Sequence, residues 1–227
     1  MLVSLIIPAL NEADCLPPLL AELPHGLVQE LIVVDNGSTD GTAPAARRCG
    51  ACVVAEPRRG YGYACAAGAA AAHGDVLVFM DGDGSFVPVE IPALLLPIRK
   101  GVADLVLGAR VRYRVAAGSL PFHQVFGNRL VAAGFRILYG VHLTDLGPFR
   151  AIRRDLLQAL NLREPEYGWP MEMLAKAARR KAPIREVPVS YRERFSGEDK
   201  VGGSAGGSLL AAARILYVML RWTRMRP

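Results

Sequence analysis

Residues 75–86 read DVLVFMDGDGSF. An apolar run of strand length ends in two aspartates one residue apart, with a glycine between them and another after them. This is either an acidic turn or the rim of a cation site. Two carboxylates so spaced can hold a hard divalent ion, with water and ligand phosphate oxygens completing its shell. The flanking pattern decides between the two. Similar apolar runs occur at LVSLIIP (2–8), ELIVVD (30–35), ACVVAE (51–56) and ADLVLGAR (103–110). Helix-like segments lie at 12–22, 60–74 and 88–100, and the turn cluster NGSTDGT (36–42) offers Ser38, Thr39 or Asp40 as a helix cap. Alternating strands and helices, with strands apolar on both faces, predict an α/β fold with a mostly parallel central sheet flanked by helices. Ligands of such sheets bind at the carboxyl ends of the strands. Pro8 to Glu12, Asp35, Asp81, Asp83 and Arg110 all fall at those ends. Their convergence on one edge favours a site over a chance turn.

Composition bounds the rest. A chain of 227 residues with 52% hydrophobic content can build one sizeable core. The net charge is +6, and only four of the 27 basic residues are lysine. Arginine is the better fork for phosphate and carboxylate. Phosphate groups, nucleic acid or an anionic membrane surface are the partners such a balance indicates. Cys49 and Cys52 form a CxxC, but no second CxxC or nearby histidine pair completes a zinc site. They read as free thiols of a reducing, cytoplasmic protein. The first residues have no positive leader and no small-residue cleavage site. No apolar stretch reaches the ~18 residues that a membrane span needs.

Beyond residue 110 the pattern loosens. Residues 111–121 read as a basic loop, 122–139 as an amphipathic helix, and 144–155 as a turn with glycine and proline. A helix is expected at 170–181, a proline-punctuated strand at a sheet edge over 183–194, and a mobile glycine-rich segment at 195–208. SLLAAARILYVMLRW (208–222) is a final apolar helix carrying Arg214 and Arg221, with Arg224 just beyond. The expected organisation is one domain over 1–207, followed by an amphipathic helix over 208–227. That helix suits either a membrane interface or packing on the domain.

Other nucleotide and cation motifs fail. GYGYAC (60–65) lacks the third glycine of a dinucleotide fingerprint, and no GxxxxGK[ST] occurs. Asp81 and Asp83 begin like an EF-hand, but the following ligand positions are wrong. Asp-x-Asp at a strand end remains. It suits a diphosphate, whose leaving charge a bound cation neutralises.

VSLIIPALNE, ELIVVDNGSTDGT and VLVFMDGDGS resemble the opening of an inverting family 2 glycosyltransferase with the GT-A fold. The likeness continues through GAR (108–110), GNRL (127–130), TDLGPFRAIRRD (144–155), YGWPMEML (167–174) and EVPVSYRERFSGEDKVGG (186–203). The nearest subgroup is the dolichyl- or polyprenyl-phosphate mannose or glucose synthase type. The resemblance implies that Pro8, Ala9, Asn11, Glu12 and Asp35 surround the base and ribose of a sugar nucleotide, with Gly60 and Tyr61 at the border. Asp81, Gly82 and Asp83 would form the diphosphate loop, the two aspartates carrying Mg2+ or Mn2+. Asp145 and Glu172 would be the catalytic carboxylates. Arg110, Arg129, Arg192, Arg194 and Lys200 would receive phosphates. Asn36 stands where many relatives have a second aspartate and reads as a turn residue. DLGPFR has Gly-Pro where several relatives have Cys-Gly. The bland readings are that Arg129 is a solvated charge, Trp169 is core, and Glu172 pairs with Lys176 at i,i+4.

The expected activity is metal-dependent transfer of a hexose from a GDP-mannose- or UDP-glucose-type donor to a polyprenyl phosphate, with peripheral membrane contact as an option. A hydroxyl acceptor and a non-catalytic sugar-nucleotide-binding module are the alternatives. A nucleotidyltransferase would carry a glycine-rich basic loop where PALNEADC stands. A nucleic-acid binder would need an exposed basic stripe with stacking aromatics. A lipid phosphate is already an anion at pH 7 and needs no general base, whereas a hydroxyl does. Asp145 is therefore expected to orient the acceptor more than to deprotonate it.

Overall fold

The structure is a computed structural model that describes residues 1–115, 122–197 and 205–224. Its centre is a seven-stranded sheet in the order β3-β2-β1-β4-β6-β5-β7. The strands are β1 (Val3–Ala9), β2 (Glu30–Asp35), β3 (Cys52–Ala55), β4 (Val76–Phe79), β5 (Leu105–Val115), β6 (Arg150–Arg153) and β7 (Ile184–Tyr191). The helices are α1 (Leu16–Ala21), α2 (Thr42–Arg48), α3 (Tyr61–Ala71), α4 (Ile91–Arg99), α5 (Phe122–Tyr139), α6 (Arg154–Leu160), α7 (Trp169–Arg179) and α8 (Ala205–Arg224). All strand pairings are parallel except those of β6, which runs antiparallel to β4 and β5.

Alternation along each strand divides the core in two. Leu5, Ile7, Val33 and Val78 face one way, onto α1, α2 and α4. Ile6, Val34, Leu77 and Phe79 face the other, onto α3 and α5 through α8. Successive side chains of a strand point to opposite faces, so a strand buried on both must be apolar throughout. β2 and β3 lie to one side of β1 and β4 to the other. The order in which strands are added reverses between the parallel β1 and β4, which opens a crevice at their carboxyl ends.

Three expectations change. Residues 144–155, read as a turn, contain β6, and α6 follows directly. Two arginines bracket the Ala151–Ile152 pair and mask the apolar pattern, although Arg150 is buried. The basic loop expected from 111 is strand as far as Val115, which pairs with Tyr191 beyond a register irregularity. Arginines at alternate positions had hidden its two-residue period. The end of the segment read as glycine-rich and mobile, 205–208, is already helix α8. Residues 198–204 lie outside the described residues. Proline-bearing β7 forms the sheet edge, as expected.

Helix α8 packs on α5 and α7. The Tyr139 hydroxyl donates to the Met219 carbonyl at 2.7 Å, Arg179 donates to the Trp222 carbonyl at 2.6 Å, and Val218 and Met219 are buried. Arg214 pairs with the buried Glu164 at 2.6 Å. Glu164 begins a loop that crosses the start of α3, where a Cβ on Gly62 would overlap the Glu164 carbonyl oxygen. Gly62→Ala raises intrinsic helix propensity, yet overpacking against fixed backbone costs about 1–3 kcal/mol. The expected result is a lower urea midpoint. An equal or higher midpoint would mean that the loop does not rest there.

Candidate active site

The crevice between β1 and β4 collects most of the residues singled out in the sequence. After β1, Asn11 adopts a left-handed conformation (φ 52°). Its backbone N–H donates to Ser38 Oγ at 3.0 Å, and its side-chain oxygen accepts the Thr39 N–H at 2.8 Å. Asp35 ends β2 and accepts the Ser38 N–H at 2.9 Å. Pro8 and Ala9 pair with Val34 and Asp35. The segments 8–12 and 35–39 are thus laced into one wall.

Asn36 is more than a turn residue. It is buried, its amide donates to the carbonyls of Glu56 and Arg58 at 2.9 and 2.8 Å, and its side-chain oxygen accepts the Gly60 N–H at 2.9 Å. An aspartate has no donor for the two carbonyls. Asn36 therefore fixes the 56–60 segment that leads into Tyr61. Gly60 itself packs under the Pro165 carbonyl. Both Gly60 and Tyr61 border the crevice, and the Tyr61 hydroxyl lies 3.3 Å from Asp81 Oδ1.

The segment after β4 is held from the far edge of the sheet. Phe86 bridges Tyr191, the Arg192 N–H donates to the Ser85 carbonyl at 3.0 Å, and the Phe195 N–H donates to the Asp83 carbonyl at 2.9 Å. Gly84 has φ 82°, and a Cβ there would strike the Phe195 ring. Gly82 fits against Ile7 and Leu16. Asp83 Oδ1 accepts from the Ser85 N–H and hydroxyl at 2.9 and 2.7 Å. Among the described residues, the Oδ2 atoms of Asp81 and Asp83 accept no hydrogen bond. Burial and the adjacent Asp83 charge push the Asp81 carboxyl up to about 7, against the pull of Arg110. Two mutually repelling carboxylates with a spare oxygen each fit a hard divalent cation. No group of three or more potential metal ligands occurs among the described residues. Water and a bound phosphate could complete the shell of such a cation.

Asp145 is buried, 5% exposed, and fully engaged. Its Oδ2 accepts from the Arg110 N–H and Nε at 2.9 and 2.7 Å, and its Oδ1 accepts from the other guanidinium arm and the Leu146 N–H, both at 2.8 Å. Glu186 of β7 accepts the Asp145 N–H at 3.1 Å. Burial pushes the Asp145 carboxyl up, but the Arg110 charge and hydrogen bonds outweigh it and hold it below the usual range.

Several expected roles meet competition. Glu172 is 2% exposed; one oxygen accepts the Arg163 and Glu164 N–H groups at 2.8 and 2.7 Å, and the other pairs with Lys176 at 2.7 Å. None of these partners belongs to the Asp81–Asp83 segment or to Asp145. Glu172 anchors the 163–168 loop, and the i,i+4 pair is real. Trp169 is core, edge-on to Phe79 at 5.0 Å. Arg192 is committed to Glu22 at 2.9 Å and to the Gly84 carbonyl at 2.7 Å. Arg194 is committed to Glu12 at 3.1 Å, and Arg110 to Asp145. The side chain of Arg129, and Lys200 altogether, lie outside the described residues. The roles of Asn36 and Glu186, and of Arg150 behind the site, were missed. All three lie in stretches that carry the family likeness, but nothing local in those stretches discloses which groups they contact.

Residues 4–160 match the sequence profile of glycosyl transferase family 2. The chain belongs to that family. Along 92% of its length the glycosyltransferase is 40% identical to an uncharacterised glycosyltransferase of Mycobacterium tuberculosis, covering 94% of that protein. It is 34% identical to the undecaprenyl-phosphate mannosyltransferase of Micrococcus luteus, covering 100% of this chain and 98% of the relative. Its structure is similar to glucosyl-3-phosphoglycerate synthase from Mycobacterium tuberculosis crystallised with Mn2+, UDP-glucose and phosphoglyceric acid. The TM-score is 0.81 at 26% identity, covering all of this chain and 81% of that one. The GT-A fold expected from the sequence is therefore present.

The raised Asp81 carboxyl gives a signed test. Folded Asp81 keeps its proton at pH values where the unfolded chain, with an ordinary aspartate near 3.8, has lost it. Stability from this group thus falls as pH rises from there to about 7. Asp81→Asn is expected to raise the melting temperature of the cation-free glycosyltransferase by a few degrees at alkaline pH, and progressively less toward acid. It should also abolish Mn2+-dependent binding of UDP and GDP in calorimetry. A lower melting temperature at alkaline pH would contradict the assignment.

Proposed function

We propose that this glycosyltransferase moves a hexose, with inversion, from a nucleotide sugar of the GDP-mannose or UDP-glucose class to a polyprenyl phosphate. The observation that carries the acceptor class is the closed Arg110–Asp145 pair. Both Asp145 oxygens already accept two hydrogen bonds each. The carboxylate can take no proton from an acceptor without breaking the pair. A phosphate monoester needs no such base, because it is anionic at pH 7. The full-length likeness to an undecaprenyl-phosphate mannosyltransferase supports the same reading.

The residues divide the work by position. The wall of Pro8, Ala9, Asn11, Glu12 and Asp35 receives the base and ribose. Asp81 and Asp83 would hold Mg2+ or Mn2+, which supplies charge neutralisation for the departing diphosphate. Gly82 keeps that segment close to β1. Asp145 orients Arg110, whose guanidinium lies near Asp81 and favours negative charge there. Arg192 and Arg194 hold the 83–86 and 12–15 segments, and we assign phosphate contact to Arg129, Lys200 and Arg110. No helix among the described residues is long and apolar enough to cross a membrane. Tyr217, Leu220 and Arg221 are exposed at i, i+3 and i+4 on α8. That face suits peripheral contact with an anionic membrane where the lipid acceptor resides.

A second reading has its own support. The similar structure holds phosphoglyceric acid, so a small phosphorylated hydroxyl acceptor is the alternative. One experiment separates them. Labelled GDP-mannose and UDP-glucose are offered with Mn2+ to the wild type and to Asp145→Asn, with undecaprenyl phosphate or phosphoglyceric acid as acceptor. Transfer to the lipid phosphate, reduced less than about 10-fold in the variant, is expected, because loss of a true general base costs about 10²–10⁴. Transfer to phosphoglyceric acid alone, with a loss in that larger range, would replace the lipid reading. Asp83→Ala should abolish either activity.

A further inference from the structure

Arg150 is an anomaly of the core. It lies on β6, the one antiparallel strand, opposite Phe79 of β4 and Leu107 of β5. Its side chain is 1% exposed. No carboxylate stands within ion-pair distance of it among the described residues. Its guanidinium donates instead to main-chain carbonyls: Gly147 at 2.6 Å, Leu146 at 3.3 Å and Pro170 at 3.0 Å, with Met173 Sδ at 3.8 Å. Its Nε has no hydrogen-bond partner among the described residues. A buried charge without a bonded counter-ion is costly, and folds seldom retain one for stability alone. The groups that act on it electrostatically at longer range are Tyr61 and Cys65, then Asp81 and Asp145.

These contacts join the parts that have to agree in space. Leu146 and Gly147 directly follow Asp145. A Cβ on Gly147 would lie 2.7 Å from the Gly108 carbonyl, and the Gly108 N–H donates to the Phe149 carbonyl at 2.8 Å, so this segment packs directly on β5. Pro170 opens α7, which carries Glu172 and hence the 163–168 loop against Tyr61. Two residues past Arg150's strand partner Phe79 stands Asp81.

We propose that Arg150 is a positioning residue for the transfer step. It fixes the Asp145–Arg110 pair through the 146–147 carbonyls and places a buried positive charge behind the Asp81–Asp83 segment. A lysine can supply the charge but not the three-carbonyl fork, since its ammonium is a single point. Methionine supplies neither. The kinetic part rests on the transferase reading above.

The test compares Arg150→Lys and Arg150→Met with the wild type, using Mn2+ with UDP and GDP for binding, sugar transfer for turnover, and hydrogen exchange for local order. Both variants should bind Mn2+ and nucleotide within about threefold of wild type while kcat falls, the split that marks lost transition-state stabilisation. The fall for Arg150→Met should be about 10–100-fold, typical of groups that orient catalytic ligands. Arg150→Lys should recover part of it. Exchange should quicken at residues 144–149 and not at 76–80. A kcat unchanged in Arg150→Met would overturn the proposal. So would parallel loss of binding and turnover with no advantage for lysine, which would make Arg150 a fold support only. A wild type that binds nucleotide but transfers no sugar would count against the transferase reading. The exchange pattern would then decide the positioning role by itself.

Discussion

Asp81 and Asp83 repel each other at the end of a buried strand, and the surrounding structure is arranged to keep them together. Burial and mutual charge raise the Asp81 carboxyl to about 7. A loop left to itself would relieve the strain by turning one aspartate into water. This one cannot, because Tyr191, Arg192 and Phe195 pair with its backbone from the sheet edge. Gly82 locks it against β1. The result is a preformed anionic notch at the switch point between β1 and β4. Preorganised charge of this kind avoids rearrangement when a ligand arrives.

The arginines follow from the same constraint. An excess of them suggests a surface waiting for phosphate. In the fold, Arg110, Arg192 and Arg194 are each paired with a carboxylate, Asp145, Glu22 and Glu12. Arg192 and Arg194 bring the 191–196 segment onto the 83–86 and 12–15 segments. Arg110 closes β5 over Asp145. These three arginines therefore help to organise the crevice, and Arg150 does so from inside the core.

The strand-end positions were legible because parallel sheets impose them. Apolar runs ending in Asp35 and Asp81 have to finish at one edge if the strands are parallel, and β1, β2 and β4 do; Arg110, also read as a strand end, lies inside β5, which continues to Val115. The anchoring contacts of Glu172 were not legible, because a local motif cannot reveal that the amides of Arg163 and Glu164 fold back onto its carboxylate. Asn36 was undervalued for a similar reason. Its three hydrogen-bond partners come from residues 20–24 positions away.

Fold class, the strand-end edge and the Asp-x-Asp segment were legible in the chain, since strand periodicity and turn chemistry are local properties. The antiparallel β6 was decided only in three dimensions. Arg150–Arg153 is too short and too charged to declare itself a strand, and it becomes one because β4 and β5 leave a gap with unpaired backbone on both sides. The partners of Asp145 were decided there as well. A carboxylate's role depends on which donors fill its lone pairs, and Arg110, 35 residues earlier, reaches it only across the folded sheet.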